Sequence, residues 1–103
     1  MQIRKRKTLE NVILDLSGEL DFSNVDELKN QVLAEQDGGK ITINMAAVDF
    51  IDSSGVGILL HLARELSEQN RVFEVINIPE SIRESMALIG FFQVIEAIQV
   101  NGS

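Results

Sequence analysis

The chain contains no cysteine, which excludes a disulfide framework and a thiolate metal site and fits a reducing compartment. Proline occurs once, at Pro79, and glycine is modest, so no stretch has the Pro/Gly/Ser bias of a linker or a disordered tail. No apolar run approaches the roughly 20 residues of a membrane span. The richest, Val56 to Ala63, is interrupted by Gly57 and His61. The basic start Arg4-Lys5-Arg6-Lys7 has the charge of a signal-peptide n-region, yet Glu10 and Asp15 stand where an apolar h-region would follow. A soluble, cytoplasmic protein without membrane insertion is expected. Histidine is also single, and His61 has no evident companions for a metal site.

What is present is a chain of 103 residues, 45% of them hydrophobic, enough for one core and too short for two ordinary domains. Residues 1–103 are read as one domain. The formal charge is −7, and Arg4 to Lys7 supply four of the nine cations. The rest of the chain sets five cations against sixteen carboxylates. Such an acidic body is repelled by phosphate backbones, so direct nucleic-acid binding is not expected. The basic run reads instead as an edge strand whose charges discourage aggregation.

Val12, Leu14 and Leu16 alternate with Ile13, Asp15 and Ser17, the period of a strand, and Ile3 to Leu9 can pair with it through a turn at Glu10-Asn11. Ser23, three residues before Asp26, precedes Val25, Leu28, Val32 and Leu33 at helical spacing. This predicts a first helix ending near Gly38-Gly39. Ile41, Ile43 and Met45 predict a third strand, and Val56, Leu59, Leu60, Ala63 and Leu66 predict a second helix running to about Gln69. Val72 to Ile78 reads as a continuous buried strand. Pro79 suits a first helical turn, and Ile82, Met86 and Ile89 mark a third helix closed by Gly90. A last strand is expected over about Phe92 to Ile98. From the second strand onward strand and helix alternate, which calls for an α/β fold: an N-terminal hairpin, then a mixed, mostly parallel sheet covered by helices.

Asp49-Phe50-Ile51-Asp52-Ser53-Ser54-Gly55-Val56-Gly57 joins the third strand to the second helix, on the carboxyl edge where such folds place their sites. With Ser53 as N-cap, its hydroxyl would face the free amides of Gly55 and Val56, where the helix dipole favours negative charge. A phosphate on Ser53 would be accommodated. Equally, Ser53 could be an ordinary cap and the glycines could serve only close packing. Each glycine in the first turns costs about 1 kcal/mol relative to alanine, a cost that makes sense if a partner approaches the backbone.

Gly18-Glu19-Leu20-Asp21 and the stretch Asn44 to Gly57, with the strand-helix order between them, resemble the STAS domain of bacterial anti-sigma factor antagonists. The resemblance covers about residues 3 to 98. It implies partner switching in stress-response or sporulation signalling. The unphosphorylated antagonist binds an anti-sigma factor that is also a serine kinase, a sigma factor is released, and phosphorylation reverses the exchange. The acceptor falls on Ser53, and a metal-dependent serine phosphatase would remove the phosphate. Asp21, Asp52, Ser54, Gly55, Val56 and Gly57 are the implied partner-binding residues. Asp21 would orient Ser53 or meet the partner, unless it is merely a turn aspartate. The free protein would be a monomer without catalytic residues or cofactor. Many members continue past the last strand into a C-terminal helix, for which Asn101-Gly102-Ser103 leaves no room.

A serine hydrolase is excluded because Gly-x-Ser-x-Gly would need glycine at position 51 or 52, which hold Ile51 and Asp52. His61 lies about 10 Å or more along the same helix and cannot serve as base. Gly55-Val56-Gly57 is followed by neither a P-loop lysine nor the third Rossmann glycine, where Leu60 stands. The alternative within the resemblance is a non-enzymatic STAS subunit of an ABC transporter ATPase. Serine at position 53 favours the phosphorylation switch over it.

Overall fold

The computed structural model describes residues 1–36 and 39–102. β1 (Gln2–Lys7) and β2 (Asn11–Leu20) form the expected antiparallel hairpin, with Ile3 opposite Leu16 and Lys5 opposite Leu14. β3 (Lys40–Ile51) runs parallel to β2, and β4 (Val72–Ile76) parallel to β3, giving the order β1-β2-β3-β4. The crossovers are α1 (Val25–Leu33) and α2 (Ser53–Glu68), and α3 (Glu80–Ile89) and α4 (Phe91–Gly102) follow β4. No helix among the described residues is long and apolar enough to cross a membrane.

Residues directly opposite one another share a face of the sheet. Leu14 and Leu16 of β2, Ile41, Ile43 and Met45 of β3 and Phe73 of β4 turn one face into the core. Leu28 of α1, Leu59, Leu62 and Leu66 of α2, Met86 of α3 and Phe91 of α4 close over it. Each such side chain contributes about 1.5–3 kcal/mol when fully buried. Surface ion pairs contribute about 0–1 kcal/mol, so this face carries the stability.

The other face is polar. There Arg6 Nε and Nη2 donate to Asp15 at 2.6 and 2.9 Å, Asn44 Nδ2 donates to Asp15 Oδ1 at 2.8 Å, and Asn77 Nδ2 donates to Asn44 Oδ1 at 3.1 Å. The basic run is thereby spent within the chain at three of its four cations, Lys5, Arg6 and Lys7. It forms an edge strand, as expected, with Lys5 and Lys7 both paired to the buried Glu35.

Four expectations need correcting. The N-cap of α1 is Asn24 and not Ser23, and the helix ends at Leu33, where the chain turns to bring Glu35 to Lys5 and Lys7. Gly38 lies outside the described residues. β3 does not stop at Met45 but continues through Asp49, Phe50 and Ile51. Two bulges add a residue to β3 opposite the Asp15–Ser17 and Gly18–Glu19 steps of β2, so that burial recurs at Met45, Val48 and Ile51 and the period of two is lost.

β4 is a short edge strand and not a continuous buried one: Phe73 is buried and Val72 is exposed. Finally, the segment expected as a last strand is the helix α4, and it supplies the C-terminal helix for which no room was expected. Phe91, Ile95 and Ile98 recur at helical spacing and pack on the core. Gly90, at φ 89°, ends α3 and lets the chain re-enter a helix at once. Phe91 is buried, and Phe92 packs against it edge-to-face at 5.2 Å beneath the Arg83 guanidinium.

Candidate functional site at the start of α2

The last pair of the β2–β3 ladder joins Leu20 to Ile51. Beyond it the chain leaves β2 into the loop that opens α1, and leaves β3 directly into α2. Asp52 stands between them in an extended conformation, φ −110° and ψ −176°, and is the N-cap of α2. Its Oδ1 accepts the Gly55 N–H at 2.9 Å, and its carbonyl accepts the first helical bond from Val56 at 3.1 Å. Its Oδ2 accepts the Phe22 N–H at 3.2 Å, and its own N–H donates to the Leu20 carbonyl at 3.3 Å.

Ser53 is therefore the first helical residue and not the cap. Both residue types cap well, and the backbone angles alone decide between them. With the cap supplied by Asp52, the Ser53 hydroxyl satisfies no amide, and among the described residues it has no hydrogen-bond partner. Ser53 is exposed at the positive end of the helix dipole, with no acidic residue in the first turn of α2.

The other anticipated residues divide by burial. Gly57 is exposed and Ser54 half-exposed on the same helix start, whereas Val56 and Gly55 turn inward. A Cβ on Gly55 would come within 2.6 Å of the Leu20 carbonyl oxygen and 2.7 Å of Ile51 Cγ1, so glycine is what lets α2 sit against the end of β2. At Gly57 a Cβ would meet nothing within 4 Å. Packing inside the chain explains the first glycine and not the second.

Asp21 does not reach Ser53 by any hydrogen bond among the described residues. Its Oδ1 accepts from Ser23 Oγ at 2.6 Å and Ser23 N–H at 2.9 Å, and these bonds hold its carboxyl below the usual carboxylate range. Asn24 staples the same loop: its Oδ1 accepts the Asp21 N–H at 3.0 Å, and its Nδ2 donates to the Glu19 carbonyl at 2.8 Å. His61 is exposed and faces Glu65 at 3.8 Å, a turn along α2.

Two aromatic residues at this edge escaped the sequence reading. Phe22, held by Asp52, is 81% exposed, and Phe50, paired with Glu19, is 46% exposed. Phenylalanine is presumed buried by default, and only Phe22's place immediately after Gly18-Glu19-Leu20-Asp21 hints otherwise.

A STAS domain model matches residues 2–101. An anti-sigma F factor antagonist of Lysinibacillus sphaericus is 39% identical over 62 residues, a stretch that is 57% of this chain and 53% of that protein. The match thus spans about half the length of that relative. The anti-sigma factor antagonist SpoIIAA in its unphosphorylated form is similar at TM-score 0.75 and 26% identity, over 99% of this chain and 98% of that one. The phosphorylated form of the Bacillus cell fate determinant SpoIIAA is similar at TM-score 0.71 and 26% identity, over 89% of this chain and 86% of that one. With its hairpin, parallel crossovers and exposed serine at the start of α2, the chain belongs to the STAS domain family and resembles its anti-sigma factor antagonists.

Proposed function

We propose that the chain is a non-enzymatic anti-sigma factor antagonist switched at Ser53. Unphosphorylated, it binds an anti-sigma factor serine kinase, so that a sigma factor is released. The kinase, supplying ATP and magnesium, phosphorylates Ser53 and ends binding, and a metal-dependent serine phosphatase restores it.

The observation that carries this reading is the free, exposed hydroxyl of Ser53 on the first residue of a helix already capped by Asp52. A phosphate there adds about −1.5 to −2 charge at a site where the helix dipole favours negative charge by roughly 0.3–1 kcal/mol. The fold tolerates it. At an interface the same group is bulky and strongly hydrated, and it repels acids such as Asp21, Asp49 and Asp52. Binding is lost while the domain stays folded. The similarity to SpoIIAA at nearly equal TM-scores in its unphosphorylated and phosphorylated forms supports this separation.

The test is a pull-down from lysate with wild type, Ser53→Ala and Ser53→Asp, together with phosphosite mass spectrometry. Wild type and Ser53→Ala should retain an anti-sigma factor kinase, Ser53→Asp should lose it, and the phosphopeptide should carry Ser53. Equal capture of a transporter ATPase by all three baits would overturn the reading in favour of a transporter subunit.

A further inference from the structure

Phe22 presents a large apolar side chain that packs on nothing in the core, yet its backbone is held in place. Its N–H donates to Asp52 Oδ2 at 3.2 Å, while Oδ1 of the same carboxylate accepts the Gly55 N–H at 2.9 Å. A single side chain, next in sequence to Ser53, thus joins the first turn of α2 to the loop between β2 and α1. The other side-chain bonds of that loop are internal or reach back to β2: Asp21 to Ser23, and Asn24 to Asp21 and to the Glu19 carbonyl. Among the described residues, Asp52 provides the side-chain hydrogen bond between the loop and α2.

We propose that Asp52 is a positioning residue that passes the charge state of Ser53 to Phe22. The biological use of this coupling rests on the phosphorylation reading above. A phosphoryl group on Ser53 places a second anion, with three acceptor oxygens, beside the Asp52 carboxylate. The phosphate takes up the helix-start amides that Asp52 leaves unpaired, and the two anions repel each other. Asp52 gives up the longer of its two bonds, the one to Phe22, and the loop that carries the exposed ring shifts. The surface a partner meets changes in shape as well as in charge. Leu20 and Ile51, on the buried side of the same edge, stay in place.

The experiment is NMR on the labelled full-length chain with phosphoserine incorporated at position 53 during synthesis, beside unphosphorylated wild type and Asp52→Asn in both states. In the unphosphorylated wild type, scalar couplings across the hydrogen bonds should connect the Asp52 carboxyl carbon to the amide nitrogens of both Phe22 and Gly55. Phosphoserine should abolish the Phe22 coupling and speed exchange of the Phe22 amide roughly tenfold or more, with core amides such as those of Leu14 and Ile43 unchanged. In Asp52→Asn, which keeps an acceptor oxygen but no charge, phosphorylation should change the Phe22 amide several-fold less.

An unchanged coupling and exchange rate at Phe22 in the phosphorylated wild type overturns the proposal. So does an equal response in Asp52→Asn. If Asp52→Asn does not fold, the wild-type pair alone decides. Because the phosphate is installed during synthesis, the result is independent of whether Ser53 is modified in cells. An unmodified Ser53 in cells would refute the switch, whereas an unmoved Phe22 refutes only the coupling.

Discussion

Gly55 and Gly57 stand two residues apart in one helix, and alanine at these positions should move stability in opposite directions. At position 55 the added Cβ lies 2.6 Å from the Leu20 carbonyl oxygen and 2.7 Å from Ile51 Cγ1. The Ile51 side chain is buried, and the carbonyl is backbone of β2 that also accepts the Asp52 N–H. Neither can yield cheaply, so α2 must back off from its seat. Overpacking of this kind costs about 1–3 kcal/mol, against a helix-propensity gain of about 1 kcal/mol for replacing glycine. The net expectation for Gly55→Ala is a loss of up to about 2 kcal/mol. At position 57 no atom lies within 4 Å of the Cβ, and propensity acts alone. Gly57→Ala should therefore stabilise by about 0.5–1 kcal/mol. Urea denaturation followed by circular dichroism measures both, and each kcal/mol corresponds to about 4–8 °C in Tm for a domain of this size. Midpoints that shift in the same direction would refute the seating of α2 against the end of β2.

Two further expectations concern elements away from the site. Lys5 and Lys7 hold the Glu35 carboxyl below its ordinary range, and Arg6, aided by Asn44, does the same for Asp15. Because these folded-state values are depressed, the stability they contribute is complete above the unfolded carboxylate range near about pH 4 and is lost as pH falls through the lower folded values. Glu35→Gln should flatten the acid side of a pH–stability curve from urea midpoints, and a wild-type curve without an acid limb would count against the pairing. Phe91→Ala should cost about 3–5 kcal/mol, since the ring anchors α4 in the core. A loss below about 1 kcal/mol, read by the same denaturation, would mean that α4 does not dock as described.

The legible parts of the fold were those with one unambiguous period. β2 alternates from Val12 to Ser17 and α2 carries a long apolar stripe; both elements were expected, α2 to within about a residue of its end, although β2 runs on to Leu20. The second half of β3 was hidden because its bulges follow from pairing with β2, and the change of spacing after Met45 looks like the end of a strand. From Phe91 to Ile98 the apolar residues satisfy a strand reading and a helical one. Packing of Phe91, Ile95 and Ile98 onto the core selected the helix and left β4 as an edge.

The site divides in the same way. Residue types and their order were enough to mark Ser53 at a helix start, because the capping and glycine preferences involved are local to a few residues, whereas its reading as a phosphate acceptor came from the resemblance to the STAS family. That Asp52 and not Ser53 makes the cap depended on the backbone angles at the end of β3. That Phe22 stands in solvent, tied to Asp52, depended on the Leu20–Ile51 pairing, which brings together two loops 30 residues apart. A preference confined to one turn can be read along the chain, whereas a hydrogen bond between distant turns exists only once the sheet has set their register.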